Sequence, residues 1–342
     1  MVEPESTAAP RRGRTAGGLA VLFAVLLGLS LLFNLFLLFV LFTGIAFGGR
    51  VGAGDRIVER LLPFGGKGPE RVVVLPVRGL LLEGDLPGVA GGDVVGSVRT
   101  MLARAGADPT VRGIVLAIDS PGGAVTASDV LHHAIAEFRR ERDLPVAASL
   151  GNVAASGGYY LAVAADRIFS HATTVTGSIG VLFARFDVTG LLEKVGIEDD
   201  TVVSEATPLK TIGSSTRRMT DEERRVVRGV VDEMYERFVR VVAEGRGGLD
   251  EGAVRGLADG RIFTGLQARE AGLVDEIGYL EDAVAWARER AGTPEALAVT
   301  YDRLPSFLET LLFGRAVDPP EGRSLLGGDR GARFLYLWDG AP

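Results

Sequence analysis

Cysteine is absent from this 342-residue chain, which excludes a thiol nucleophile, a disulfide framework and a thiolate zinc site. Histidine is scarce. His132, His133 and His171 lack the His-x-x-x-His spacing that sets two imidazoles on one helix face, so no metal site is expected, and no cofactor either. Lysine is scarcer than its charge class suggests: of 37 Lys and Arg residues, only Lys67, Lys194 and Lys210 are lysine. Arginine stays protonated in proteins, whereas a desolvated lysine can give up its proton. Any amine chemistry therefore falls to one of three residues. Positive charge is also short overall, since the net charge is −7, and no charge block or internal repeat stands out. That balance argues against a nucleic-acid partner.

Charge is missing altogether from Thr15 to Gly49, and Leu19 to Phe47 is predominantly apolar. About 20 such residues suffice to cross a bilayer. A cleaved signal peptide has an apolar core of only ~7–15 residues, so residues 19–47 read as a transmembrane anchor, although Gly44-Ile-Ala46 has the small residues of a cleavage site. Arg11, Arg12 and Arg14 precede the span while Arg50, Arg56, Arg60 and Lys67 follow it, so the basic count does not set its orientation.

Beyond the anchor, two glycine turns follow apolar runs. Val146 to Ala155 reads as a strand entering a small-residue turn, with Ser156-Gly157-Gly158 at the start of a helix. The Ser156 hydroxyl has two compatible readings there: it caps the helix, and the turn presents it to a substrate while the Gly157 amide and the helix N-terminus face developing negative charge. Ala154 stands where a Gly-x-Ser-x-Gly elbow would have its first glycine. The other turn, Asp119-Ser-Pro-Gly-Gly123, ends the run Val111–Ile118. A carbonyl held between the amides of Gly123 and Gly157 would have two oxyanion donors, each worth ~3 kcal/mol in the transition state. Further on, Ser178 in Thr176-Gly-Ser-Ile-Gly-Val181 is either a turn hydroxyl or a partner for the Lys210 amine.

Together these segments resemble the signal peptide peptidase A family, membrane-bound serine proteases of the Clp protease/crotonase-like fold. The resemblance runs from Val72 through Ile118–Gly123, Ala155–Tyr160 and Thr176–Val181 to Ala258-Asp-Gly-Arg-Ile-Phe-Thr-Gly265 and Gly272-Leu-Val-Asp-Glu-Ile-Gly278. It implies an α/β fold, a repeated ββα superhelix, preceded by one N-terminal transmembrane helix. It also implies Ser156 as nucleophile, Lys210 as general base, Ser178 as the serine that orients the lysine, and the Gly123 and Gly157 amides as oxyanion hole. Ser204-Glu-Ala-Thr-Pro-Leu-Lys210 lacks the glycine of the family's usual Gly-x-x-Lys run, and the downstream Arg217-Arg-Met-Thr220 fixes the spacing that assigns the base. The chemistry is coherent. A hydroxyl needs a base, and a lysine of ordinary pKa ~10.4 serves at neutral pH only where burial favours its neutral form by roughly 4 kcal/mol.

The family's substrates are apolar peptides such as signal peptides left in the membrane after cleavage, and its single-repeat members form rings with shared active sites. A homo-oligomer with sites shared between subunits is thus expected, with residues 19–47 in lipid and the catalytic domain outside the cytoplasm. Residues 1–18 read as a cytoplasmic N-terminus, 48–70 as a Gly-rich linker, 71–292 as the peptidase domain and 293–342 as a C-terminal tail. Thr220-Asp-Glu-Glu223 is a capping box, opening a helix whose stripe runs Val226, Val230, Met234, Phe238 and Val241. His132 and His133 sit beside the stripe Leu131, Ala134, Ile135 and Phe138 and read as exposed or rim residues, and His171 follows the strand Arg167–Ser170. Two other classes remain on this sequence: an acyl-thioester enzyme on the same fold, and a non-catalytic membrane scaffold.

Overall fold

The computed structural model describes residues 14–48, 57–83 and 93–303. The first thirteen residues, the stretch carrying Arg50 and Arg56, and the tail from residue 304 lie outside them. Two compact units divide at residues 56 and 57. The first holds α1 (Arg14–Gly48), within which Val21–Phe39 is long and apolar enough to cross a membrane. At 1.5 Å per residue those 19 residues extend ~28 Å, close to the ~30 Å of a hydrocarbon core. Asn34 donates to the Ser30 carbonyl at 2.7 Å, so part of its amide is satisfied within the helix.

The second unit runs β1 (Ile57–Leu61), β2 (Arg71–Arg78), α2 (Val94–Ala107), β3 (Val111–Ser120), α3 (Val125–Arg142), β4 (Val146–Ala155), α4 (Gly157–Ala162), β5 (Arg167–Ser170), β6 (Val175–Gly177) and α5 (Thr189–Val195). A 3-10 turn (Pro208–Thr211), α6 (Asp221–Gly245), α7 (Glu251–Leu257), β7 (Ile262–Thr264), α8 (Gly265–Glu270), β8 (Glu276–Ile277), α9 (Leu280–Arg290) and β9 (Leu297–Arg303) follow. One sheet orders them β1-β9-β2-β3-β4-β5-β8, with β6 on β4 and β7 on β6. Among the described residues, only the β1/β9 and β6/β7 pairs are antiparallel. This is a mixed α/β fold with a mainly parallel sheet. Helices cover both faces, as such sheets require. Val73, Leu75 and Val77 pack in one cluster with residues of α2, α3, α4 and α6, while Val72 and Val74 pack with Ala283, Val284 and Ala287 of α9.

Two segments differ from their sequence reading. Ile57–Leu61 and Leu297–Arg303, read as linker and tail, are paired strands of the sheet, and Leu62, Ala296 and Ala298 are buried. Their partners lie far apart along the chain, so local composition did not reveal the pairing.

Candidate functional site

The site begins with a strand that changes partner. Below Leu150, β4 pairs with β5, and from Val153 it pairs with β6, because residues 151–153 bulge away from the β3 register. Three side chains hold the bulge. Asp119 accepts from the Val153 amide at 3.1 Å, Thr174 donates to the Gly151 carbonyl at 2.7 Å, and Thr176 donates to the Ala154 carbonyl at 2.6 Å. Bulges of this kind re-aim a strand, and here the re-aimed end leads into Ser156.

Ser156 occupies the N-cap position of α4, yet its side chain makes no capping hydrogen bond. The capping reading is thereby removed. The reason is conformational: φ is +52° and ψ −120°, outside the extended geometry from which a serine caps a helix. A non-glycine residue in this region is strained by about 1–3 kcal/mol, and such strain concentrates at functional sites. The turn is held by its Ser156 amide donating to the Gly177 carbonyl at 2.8 Å and by Tyr159, fully buried, donating to the Leu273 carbonyl at 2.8 Å.

The second glycine turn closes directly on the first. A Cβ built on Gly122 (φ +102°) would lie 2.7 Å from the Gly157 nitrogen and 3.0 Å from the Ser156 Cβ. A side chain cannot be accommodated there, and the two turns touch because none is present. Leu81 fixes the other side of the turn, accepting from the Ala124 amide at 2.9 Å and donating to the Gly122 carbonyl at 2.9 Å. Its buried side chain is a contributor that the sequence did not signal. Neither the Gly123 nor the Gly157 amide donates to a partner among the described residues. With α4 only six residues long, any anion here would be held by individual amides rather than by a long helix dipole.

Ser178 joins the same place. Ala155 and Gly177 are register partners, so Ser156 and Ser178 each follow the last paired residue of neighbouring strands. Ser178 also has positive φ, +50°, and its amide donates to the Arg261 carbonyl at 2.7 Å. Ser156, Ser178, Gly123 and Gly157 are thus brought together within one chain. Lys210 is not joined to them, since no hydrogen bond or ion pair links its amine to either serine among the described residues. It is exposed on the 3-10 turn, and Lys67 and Lys194, the latter in α5, are exposed too. No described residue from Val181 to Glu222 is buried. Leu182, Phe183, Phe186 and Val202 lie on this arm at half or more of full exposure. A cavity of about 360 Å³ opens beside the lysine turn, lined in part by Pro208, Leu209, Thr211 and Arg217.

The histidines fall elsewhere. His132, expected on the rim, packs edge-on against Tyr160 with ring centroids 5.2 Å apart, and burial pushes its pKa down to about 4. The helical periodicity gave its side of α3 but not the ring of α4 that covers it. Tyr160 donates to Asp129 at 2.6 Å, and Arg237 of α6 bonds the same carboxylate, which ties α3, α4 and α6 together. His133 is exposed, and His171 packs against Tyr279 with the rings tilted by 40°.

The family model of peptidase family S49 matches residues 138–293, a span that includes Ser156, Ser178 and Lys210 and begins after Gly123. An Enterococcus faecium protein named for a signal peptide peptidase, SppA, is 38% identical over 231 residues, covering 68% of this chain and 66% of that protein. Protease 4 of Salmonella typhi is 34% identical over 242 residues, 70% of this chain and 38% of its own length. The chloroplastic serine protease SPPA of Arabidopsis thaliana is 34% identical over 227 residues, 66% of this chain and 32% of that protein. The chain thus spans just under two thirds of the first of these relatives and about a third of the others.

Proposed function

Because the chain belongs to peptidase family S49, the signal peptide peptidase A family, we propose that it is a membrane-anchored serine endopeptidase working through Ser156 and Lys210. The observation that carries the reading is the unused Ser156 hydroxyl, held at φ +52° beside the undonated amides of Gly123 and Gly157. In this reading the Ser156 Oγ attacks a peptide carbonyl carbon while its proton passes to the neutral Lys210 Nζ. The two glycine amides receive the oxyanion. As the intermediate collapses, Lys210 returns its proton to the leaving amine, and a water activated by the same amine then releases the acyl group. Ser178 hydrogen-bonds the amine and orients it.

Lys210 must be desolvated to work, and an exposed turn does not desolvate it. We assign that role to a second copy of the chain, packed on the arm from Val181 to Glu222 so that the active site is shared between subunits. The exposed Leu182, Phe183 and Phe186, and the exposed Val226, Val230 and Met234 on the first half of α6, support this packing. Large apolar side chains exposed in such number on one arm and one helix suit a face that a partner covers. The domain itself is read as the repeated ββα superhelix of Clp protease/crotonase-like proteins. The apolar helix anchors it in the membrane with the catalytic domain outside the cytoplasm. An anchored site meets apolar peptides at high effective concentration, so residual signal peptides are the substrates proposed.

Cleavage of an apolar peptide by purified full-length protein tests the reading. Ser156→Ala should abolish hydrolysis, and Lys210→Arg should be as inactive as Lys210→Ala, because arginine keeps the charge but accepts no proton. Wild-type cleavage by Ser156→Ala would overturn it.

A further inference from the structure

The arm that carries Lys210 has no buried residue to locate it, yet one side chain near the lysine is gripped. Thr211, the next residue, accepts through its Oγ1 from Arg217, with Nε at 3.1 Å and Nη2 closer still. The other edge of the Arg217 guanidinium faces Glu223, with Nη1 3.0 Å from Oε2 and Nη2 on Oε1. Glu223 is 2% exposed, so its carboxylate must be paired, and it is also the capping-box residue of α6, accepting from the Thr220 amide at 2.9 Å. The far half of α6 is fixed in the core through Phe238, Val239, Val241 and Val242. Contacts therefore run without a break from the core through α6, Glu223 and Arg217 to Thr211.

A second tie supports the same loop. Arg185, downstream of Ser178, donates through Nη2 to the Ser214 carbonyl at 2.5 Å and to the Arg217 carbonyl at 2.6 Å. The lysine turn is closed by its own backbone, Lys210 amide to Thr207 carbonyl at 3.1 Å and Ile212 amide to Leu209 carbonyl at 3.0 Å. Thr211 is where the guanidinium holds this turn.

We propose that Thr211, Arg217 and Glu223 form a positioning clamp that sets the Lys210 amine at the reacting serine. The clamp rests on reading Lys210 as the base and adds to Ser178, which holds the amine, a second hold on the turn that carries it. It also gives a role to the Arg217-Arg-Met-Thr220 run, which contributes no reacting group. Misplacing a catalytic group by ~1 Å costs about 100-fold in rate. Since the clamp touches no substrate, the loss should fall on kcat.

The decisive variant is Thr211→Val, which exchanges the hydroxyl for a methyl of similar shape on an exposed turn. Arg217→Gln accompanies it, and assembly state and thermal midpoint are followed for both. With an apolar peptide substrate, kcat should fall roughly 10- to 100-fold in Thr211→Val with KM unchanged, and Thr211→Ser should recover most of the loss. Lys210→Arg is measured in parallel. If Lys210→Arg is inactive while Thr211→Val and Arg217→Gln keep wild-type kcat, or raise KM alone, the clamp is wrong and the base stands. If Lys210→Arg is active, the base reading fails and the clamp fails with it.

Discussion

Gly122→Ala separates strain from chemistry at the candidate site. The added methyl would sit 2.7 Å from the Gly157 nitrogen and 3.0 Å from the Ser156 Cβ, in a backbone at φ +102° that L-residues rarely adopt. The conformation alone costs about 1–3 kcal/mol. Relieving the contact must push the Ser156–Gly157 turn away from the Gly123 turn, which spoils the paired amides. Loss of one oxyanion donor lowers kcat about 100- to 1000-fold. Gly292→Ala is the control, because Gly292 also has positive φ, +66°, with nothing within 4 Å of where the methyl would lie. It should lower the thermal midpoint by about 2–4 °C for a cost of ~1 kcal/mol and leave peptide cleavage intact. Thermal unfolding and kcat/KM measured on both variants decide the matter. A Gly122→Ala protein that cleaves at the wild-type rate would refute the pairing of the two turns as a catalytic feature.

Ser156→Gly should raise stability by ~1 kcal/mol relative to Ser156→Ala while both remain inactive, because glycine relieves the positive φ and no capping bond is lost; equal unfolding midpoints would contradict the strain. Mixed oligomers of Ser156→Ala and Lys210→Ala subunits should recover activity that neither has alone, and verified mixed assemblies without rescue would favour a dyad within one chain. Glu223 is held at a pKa of about 2, against an ordinary 4.5, by the Arg217 guanidinium and the Thr220 amide. A depressed carboxylate stabilises above its ordinary pKa and loses that contribution as pH falls through the lowered one. Urea unfolding should therefore show the wild-type advantage over Glu223→Gln in full above pH 4.5 and shrinking towards about pH 2. A gap that stayed constant across that window would contradict the pairing.

The glycine turns were legible in the sequence because their chemistry is local. An apolar run ending in Ser-Gly-Gly or Pro-Gly-Gly can only turn sharply, and the structure has both turns where the residues predict them. The capping box at Thr220–Glu223 was legible for the same reason, and α6 begins there. What depended on distant partners was not. The strands Ile57–Leu61 and Leu297–Arg303 are short, and each is completed by the other across the length of the domain. Local preference left the Ser156 hydroxyl free to cap α4, whereas the Gly177 carbonyl on one side and the Gly122 turn on the other hold it in a conformation that does not cap. Helical period puts His132 on the rim, where it is half-buried, but gives no sign of the edge-on contact with Tyr160 of another helix. For Lys210 the limit is stricter, since the heptapeptide Ser204–Lys210 gives nothing of what surrounds the amine, and in the structure the residue is exposed on its turn.

The central claim is that Ser156 is a hydroxyl made nucleophilic by Lys210. Fluorophosphonate labelling of the full-length protein, with the modified peptide mapped by mass spectrometry, tests it most directly. The label should sit on Ser156 in the wild type and on no residue in Ser156→Ala. In Lys210→Arg it should be lost although Ser156 is intact, because the base is gone. Labelling that persisted in Ser156→Ala, or that proceeded at the wild-type rate in Lys210→Arg, would contradict the account.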